Sequence, residues 1–96
     1  MTNTEIAKVF LDIAELLKLK KDNIFKIRAY QKAARSIEEL AMPVEQLVAE
    51  GRLREITGVG EAITKKITEL VTTGRLAYYE RLKAEIQEGV NSNKGQ

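Results

Sequence analysis

The sequence contains no cysteine and no histidine. Without cysteine there is no disulfide, no zinc–thiolate site and no thiol nucleophile. Without histidine the commonest general base and the commonest metal ligand are both missing. Proline occurs once, at Pro43. No apolar run approaches the ~20 residues that span a bilayer. The opening stretch Met1-Thr-Asn-Thr-Glu5 is not a secretory leader. A soluble, cytoplasmic protein is therefore expected. No segment alternates apolar and polar residues with period two, so no sheet is expected.

Ninety-six residues allow one domain, and an apolar content of 44% is enough for a core without cross-links. The net charge of +2 says little, but its distribution says more. Residues 18–35 carry a balance of +6, residues 36–51 a balance of −4, and residues 52–75 a balance of +2. Such blocks suit solvated helix surface. They also suit one electropositive side that meets an anion while the rest keeps the protein soluble.

The apolar spacing predicts helices throughout. Ile6, Val9, Phe10, Ile13, Leu16 and Leu17 form one stripe on a first helix, capped among Thr2, Asn3 and Thr4 and ending near Lys18. A second helix runs from Ile24 or Phe25 to Leu40, with Ile27, Tyr30, Ala33, Ala34 and Ile37 inside. Arg28, Lys32 and Arg35 fall together on its outer side. Pro43 suits the first turn of a short helix over 44–50, closed by Gly51. A helix from Glu61 to about Thr72 turns Ile63, Ile67, Leu70 and Val71 inward and stops at Gly74. A last helix from Ala77 to about Glu88 buries Tyr79, Leu82 and Ile86. The predicted architecture is an all-α, compact bundle of five to six short helices. One domain spans 1–89, with a flexible tail over 90–96.

The chain is organised around Leu53–Ile67. A brief helix ends near Ile56, a tight turn follows at Gly58-Val59-Gly60, and a helix leaves at Glu61: a helix-hairpin-helix. Glycine tolerates positive φ and leaves the backbone uncovered, so a polyanion can come close. Val59 pins the turn to the core. The first amides of the outgoing helix have no intrahelical partner and carry the positive end of its dipole. A phosphate fits there, and Lys65 and Lys66 add charge one turn further in. The competing account is a plain helix turn with two glycines.

The segments Asn23-Ile-Phe-Lys-Ile-Arg-Ala-Tyr30-Gln-Lys-Ala-Ala34-Arg35 and Ile56-Thr-Gly-Val-Gly60-Glu-Ala-Ile-Thr-Lys-Lys66-Ile67 carry a resemblance. From about Glu5 to about Gly89 the chain resembles the amino-terminal helical domain of family X DNA polymerases, the polymerase beta-like group, and especially its bacterial and archaeal versions. The resemblance implies a domain that grips the 5′-phosphate at a gap in DNA during repair, associated with a prokaryotic nucleoid. It makes Lys26 and Tyr30 members of a phosphate pocket and Arg54 the basic residue entering the hairpin. It places Lys66 where the animal enzymes use a Schiff-base lysine to remove a 5′-deoxyribose phosphate. Two positions depart from the family: Ala62 replaces a further pocket lysine, and Phe25 replaces a histidine of lyase-active members. The resemblance also implies a monovalent cation, Na+ or K+, held by the backbone carbonyls of Arg54, Ile56 and Val59. No other cofactor is expected.

Three functional readings follow. In the favoured one the chain binds DNA without reading its sequence. Thr57, Gly58, Val59, Gly60, Ala62, Lys65 and Lys66 take one phosphate run, while Lys26, Tyr30 and Arg54 hold a terminal 5′-phosphate. Arg28, Lys32 and Arg35 extend the basic surface. Gapped or 5′-phosphorylated DNA is the expected partner of a monomer. The second reading is a deoxyribose-phosphate or abasic-site lyase. Its nucleophile, Lys66, lies on the flank of the apolar face, where partial burial would favour the neutral amine. The third is a helical interaction module, which needs an exposed apolar patch; none is expected outside the core stripes. Nothing resembles a polymerase palm with paired metal-binding aspartates, so the chain is read as an excised domain or a free-standing relative.

Overall fold

Thr2 starts the first helix, α1 (Asn3–Leu19). Its side chain accepts the Glu5 amide, and Glu5 reaches back to the Thr2 amide, a reciprocal cap. Asn23 does the same service for α2 (Ile24–Glu38), accepting the Phe25 amide at 2.7 Å. Then come α3 (Val44–Ala49), a 3₁₀ turn (Leu53–Glu55), α4 (Glu61–Thr73) and α5 (Ala77–Lys94). The computed structural model describes residues 1–94. No strand occurs among them, and no described helix is long and apolar enough to cross a membrane. The all-α reading holds.

The core forms where the predicted stripes meet. Ile6, Phe10, Ile13 and Leu17 of α1 are fully buried, against Ile27, Tyr30, Ala33, Ala34 and Ile37 of α2. Val44, Leu47, Leu53, Ile56 and Val59 join Ile63, Ile67 and Leu70 of α4 beneath them. No polar or charged residue is buried among the described residues, so the core rests on apolar burial. The small Ala33 and Ala34, both at 0% exposure, let α1 and α2 approach closely.

Several boundaries differ from expectation. α3 starts at Val44, as expected, and ends at Ala49, while α2 ends at Glu38, two residues short of Leu40. The first arm of the hairpin is a single 3₁₀ turn, because Arg52-Leu-Arg-Glu-Ile56 is too short to close α-helical bonds at both ends. The last helix continues beyond Glu88 to Lys94. Gly89 takes no positive φ there, so it lowers helix propensity without stopping the helix. The rest of the expected 90–96 tail, residues 95 and 96, lies outside the described residues. Tyr79 and Ile86 are half-buried, while Leu76, just before α5, is at 1% exposure and anchors it.

Specific contacts set where α5 lies. Glu69 of α4 accepts the Ala77 amide at 2.8 Å, capping the incoming helix. The Tyr79 hydroxyl donates to Asp12 Oδ2 of α1 at 2.8 Å. Burial and the Asp12 carboxylate push that phenol up to about 12. Lys20, in the α1–α2 connection, pairs with Glu85.

Candidate nucleic-acid interface

The hairpin turn is open on one side and pinned on the other. Gly58 and Gly60 are exposed, whereas Val59 is 6% exposed and seated in the core. The two glycines do different work. Gly58 has φ +81, the left-handed region that excludes most side chains. A Cβ there would come within 2.8 Å of the Lys32 stem, which lies across it. Gly60 instead has φ −93 and ψ −172, an extended conformation open to any residue. Positive φ is therefore not why residue 60 is glycine. A Cβ at Gly60 would meet nothing within 4 Å, so glycine leaves a bare approach to the backbone.

That approach leads to uncommitted donors. Gly60 caps α4 with no side-chain hydrogen bond. The Val59 amide is used by the Ile56 carbonyl, at 3.2 Å, and the Thr64 amide by the Gly60 carbonyl. Among the described residues the Gly60, Glu61 and Ala62 amides have no acceptor. They point with the positive end of the α4 dipole. One acidic side chain stands beside them: Glu61, exposed and 3.7 Å from Lys65.

The site is a cleft of about 420 Å³, defined by its lining. Lys26, Ala29 and Tyr30 of α2 face Gly58, Gly60, Glu61, Ala62, Ile63 and Lys66 across one pocket. Of the expected contact residues, Lys26, Tyr30, Gly58, Gly60, Ala62 and Lys66 are thus brought together. Lys32, Arg35 and Thr57 line a second cleft, with Glu39 and Glu55. Arg28, Arg54 and Lys65 are exposed but line neither. Lys66 joins Lys26 and Tyr30 in this pocket, and Arg54 is not among its lining residues.

The tyrosine at the back of this pocket is 5% exposed and belongs to a ring stack. Phe10 of α1 and Tyr30 of α2 lie 6.0 Å apart with an interplanar angle of 15°. Tyr78 of α5 continues the stack, 6.0 Å from Tyr30 at 18°. Burial, with the Tyr78 phenol beside it, raises the Tyr30 phenol above its ordinary range. Tyr30 therefore enters the pocket as a neutral wall.

Lys66 is half-buried, as its place on the flank of the apolar face predicts, and Lys65 points to solvent. Burial holds the Lys66 amine below the ordinary lysine range. Lys26 lowers it further, Glu69 opposes, and Arg81 lowers it again. The Lys66 Nζ sits 4.8 Å from the centroid of the Tyr78 ring.

Two features escaped the sequence reading. Tyr78 was not singled out, because one turn of helix pattern cannot show which tyrosine meets another helix. The other is the exposure of three large apolar residues at the α1–α2 corner, Leu19, Ile24 and Phe25, at 68%, 50% and 74%. The stripe ends at Leu17, and Ile27 is the first inward residue of α2, so the three between them face out.

Comparison with known proteins agrees with this geometry. A family model described as a helix-hairpin-helix domain matches residues 1–76. The chain is also 28% identical over 90 residues to the DNA polymerase/3'-5' exonuclease PolX of Bacillus subtilis (strain 168). That alignment covers 94% of this chain but only 15% of the relative's length.

Proposed function

The chain belongs to the helix-hairpin-helix domain family, and from that premise we propose that it binds DNA through its sugar-phosphate backbone, without reading sequence. The observation that carries this is the joining of free α4 amides, a bare Gly60 and the cations Lys26 and Lys66 in one pocket. Those donors suit an anion with several oxygens. The similarity to a relative named as a DNA polymerase supports the polymer chosen. We read the pocket as the seat of a terminal 5′-phosphate at a gap, and the role as gap or end recognition in DNA repair, close to the nucleoid. Lys32, Arg35 and Arg28 on α2 would follow the neighbouring strand. The Arg54 and Val59 carbonyls accept no hydrogen bond among the described residues, and Ile56 accepts one. Each carbonyl retains a lone pair, and we propose that the three hold a monovalent cation, Na+ or K+, which would add positive charge beside the hairpin.

Fluorescence anisotropy with a gapped duplex, with and without the 5′-phosphate, tests the reading. Affinity should fall steeply with salt, by a logarithmic slope of about 0.9 per phosphate neutralised. It should also be higher for the phosphorylated strand. A flat salt response would refute backbone binding.

The half-burial of Lys66 supports a second reading, a lyase. Its neutral Nζ would attack C1′ of an opened abasic sugar, and loss of water would leave an imine. Borohydride should then trap a covalent adduct on abasic DNA. An adduct that survives Lys66→Ala would refute that role.

A further inference from the structure

The matched family model ends at residue 76. Beyond it, α5 sets Tyr78 beside two of the pocket's lysines, and Arg81, which lines the neighbouring cleft with Glu69 and Glu80, reaches the same ring. The Tyr78 ring lies 4.8 Å from Lys66 Nζ, 5.8 Å from Lys26 Nζ and 5.9 Å from the Arg81 guanidinium carbon. Three cations from α2, α4 and α5 thus converge on one aromatic ring. Carboxylates offset them only in part: among the described residues none lies within ion-pair distance of Lys66 or Arg81, Glu69 acts on Lys66 from further off, and Lys26 has Asp22 at 3.7 Å. The Tyr78 hydroxyl is buried beside the Tyr30 phenol.

A cation pair is usually separated or bridged by an acid. Here a ring face does the holding. Its quadrupole attracts each cation without cancelling its charge. The full positive charge stays available to an incoming anion, and mutual repulsion among the three is relieved when that anion arrives. A phosphate ester dianion has the charge to answer more than one of them.

We propose that Tyr78 and Arg81 extend the phosphate site onto the final helix, Tyr78 as the residue that positions Lys26 and Lys66 and Arg81 as a third cation for a terminal phosphate. This rests on the 5′-phosphate reading above and names further residues for it. Tyr78 acts through the lysines. Arg81 acts through space on the same charge.

The test is the ratio of affinities for gapped duplexes with a 5′-phosphate and with a 5′-hydroxyl, measured by anisotropy on the full chain. Arg81→Gln and Tyr78→Leu should each reduce that ratio, by about two- to fivefold from the size of single cation–π and exposed charge contacts. Tyr78→Phe keeps the ring and should keep the ratio. A merely structural role for Tyr78 would lower both affinities together and leave the ratio unchanged. Arg81 is exposed, so its variant tests the proposal without disturbing the core. If the unaltered chain prefers the phosphate and both variants keep the full preference, the extension to α5 is overturned and the pocket reading survives. If the unaltered chain shows no preference, the 5′-phosphate reading fails and this inference fails with it.

Discussion

Gly60→Asp separates function from stability at one atom's reach. Gly60 already has the extended conformation of an ordinary helix cap, and a Cβ there meets nothing within 4 Å. A new carboxylate can therefore accept the α4 amides without strain. Replacing glycine by a capping side chain contributes a few tenths of a kcal/mol. The negative charge at the helix start adds about 0.3–1 kcal/mol. Glu61 already occupies the first turn, so the lower end applies, roughly 0.5 kcal/mol in total. For a domain of this size that raises the melting temperature by about 2–4 °C. Binding should move the other way. A carboxylate ~4 Å from a phosphate costs about 1 kcal/mol in bulk water and about 4 kcal/mol near a protein surface. That is roughly a fivefold loss at least and several hundredfold at most. Thermal unfolding by circular dichroism and anisotropy on gapped DNA at low salt measure the two effects, with Gly60→Ala as the uncharged control. A variant that gains stability and binds DNA unchanged would refute the assignment of these amides. One that loses stability would show that they were never free.

Two further outcomes follow from the same geometry. Gly58→Ala should cost about 1–2 kcal/mol in urea unfolding, the penalty of a left-handed backbone for an L side chain. Because the Lys32 stem is flexible, Lys32→Ala should restore little of that loss; full rescue would mean that the contact, not φ, is the constraint. Lys66→Met should raise stability at neutral pH. The folded-state amine titrates below its unfolded value of ~10.4, so its charged form is penalised at any pH below the folded value. That penalty fades as pH climbs from the folded to the unfolded value. The stability difference between variant and unaltered chain should therefore shrink across this alkaline window, and a constant difference would contradict the depressed amine.

Much of the fold could be read along the chain because its signals are local. The Thr2–Glu5 box, the Asn23 cap and the stops at Gly51 and Gly74 act within one turn of helix. The inward stripes of α1, α2 and α4 follow from a repeat of ~3.6 residues. The hairpin and the half-burial of Lys66 were legible for the same reason. The arrangement across helices was not. Lys26, Lys66 and Tyr78 are far apart in sequence, and the angle at which α5 returns depends on Leu76 and Leu82 in the core, Glu69 at its first amide and Asp12 beneath Tyr79. Periodicity says which side of a helix is apolar, but only packing against particular neighbours says which side chains from different helices share a pocket. That is why the meeting of Tyr78 and Arg81 with Lys26 and Lys66 was not legible along the chain.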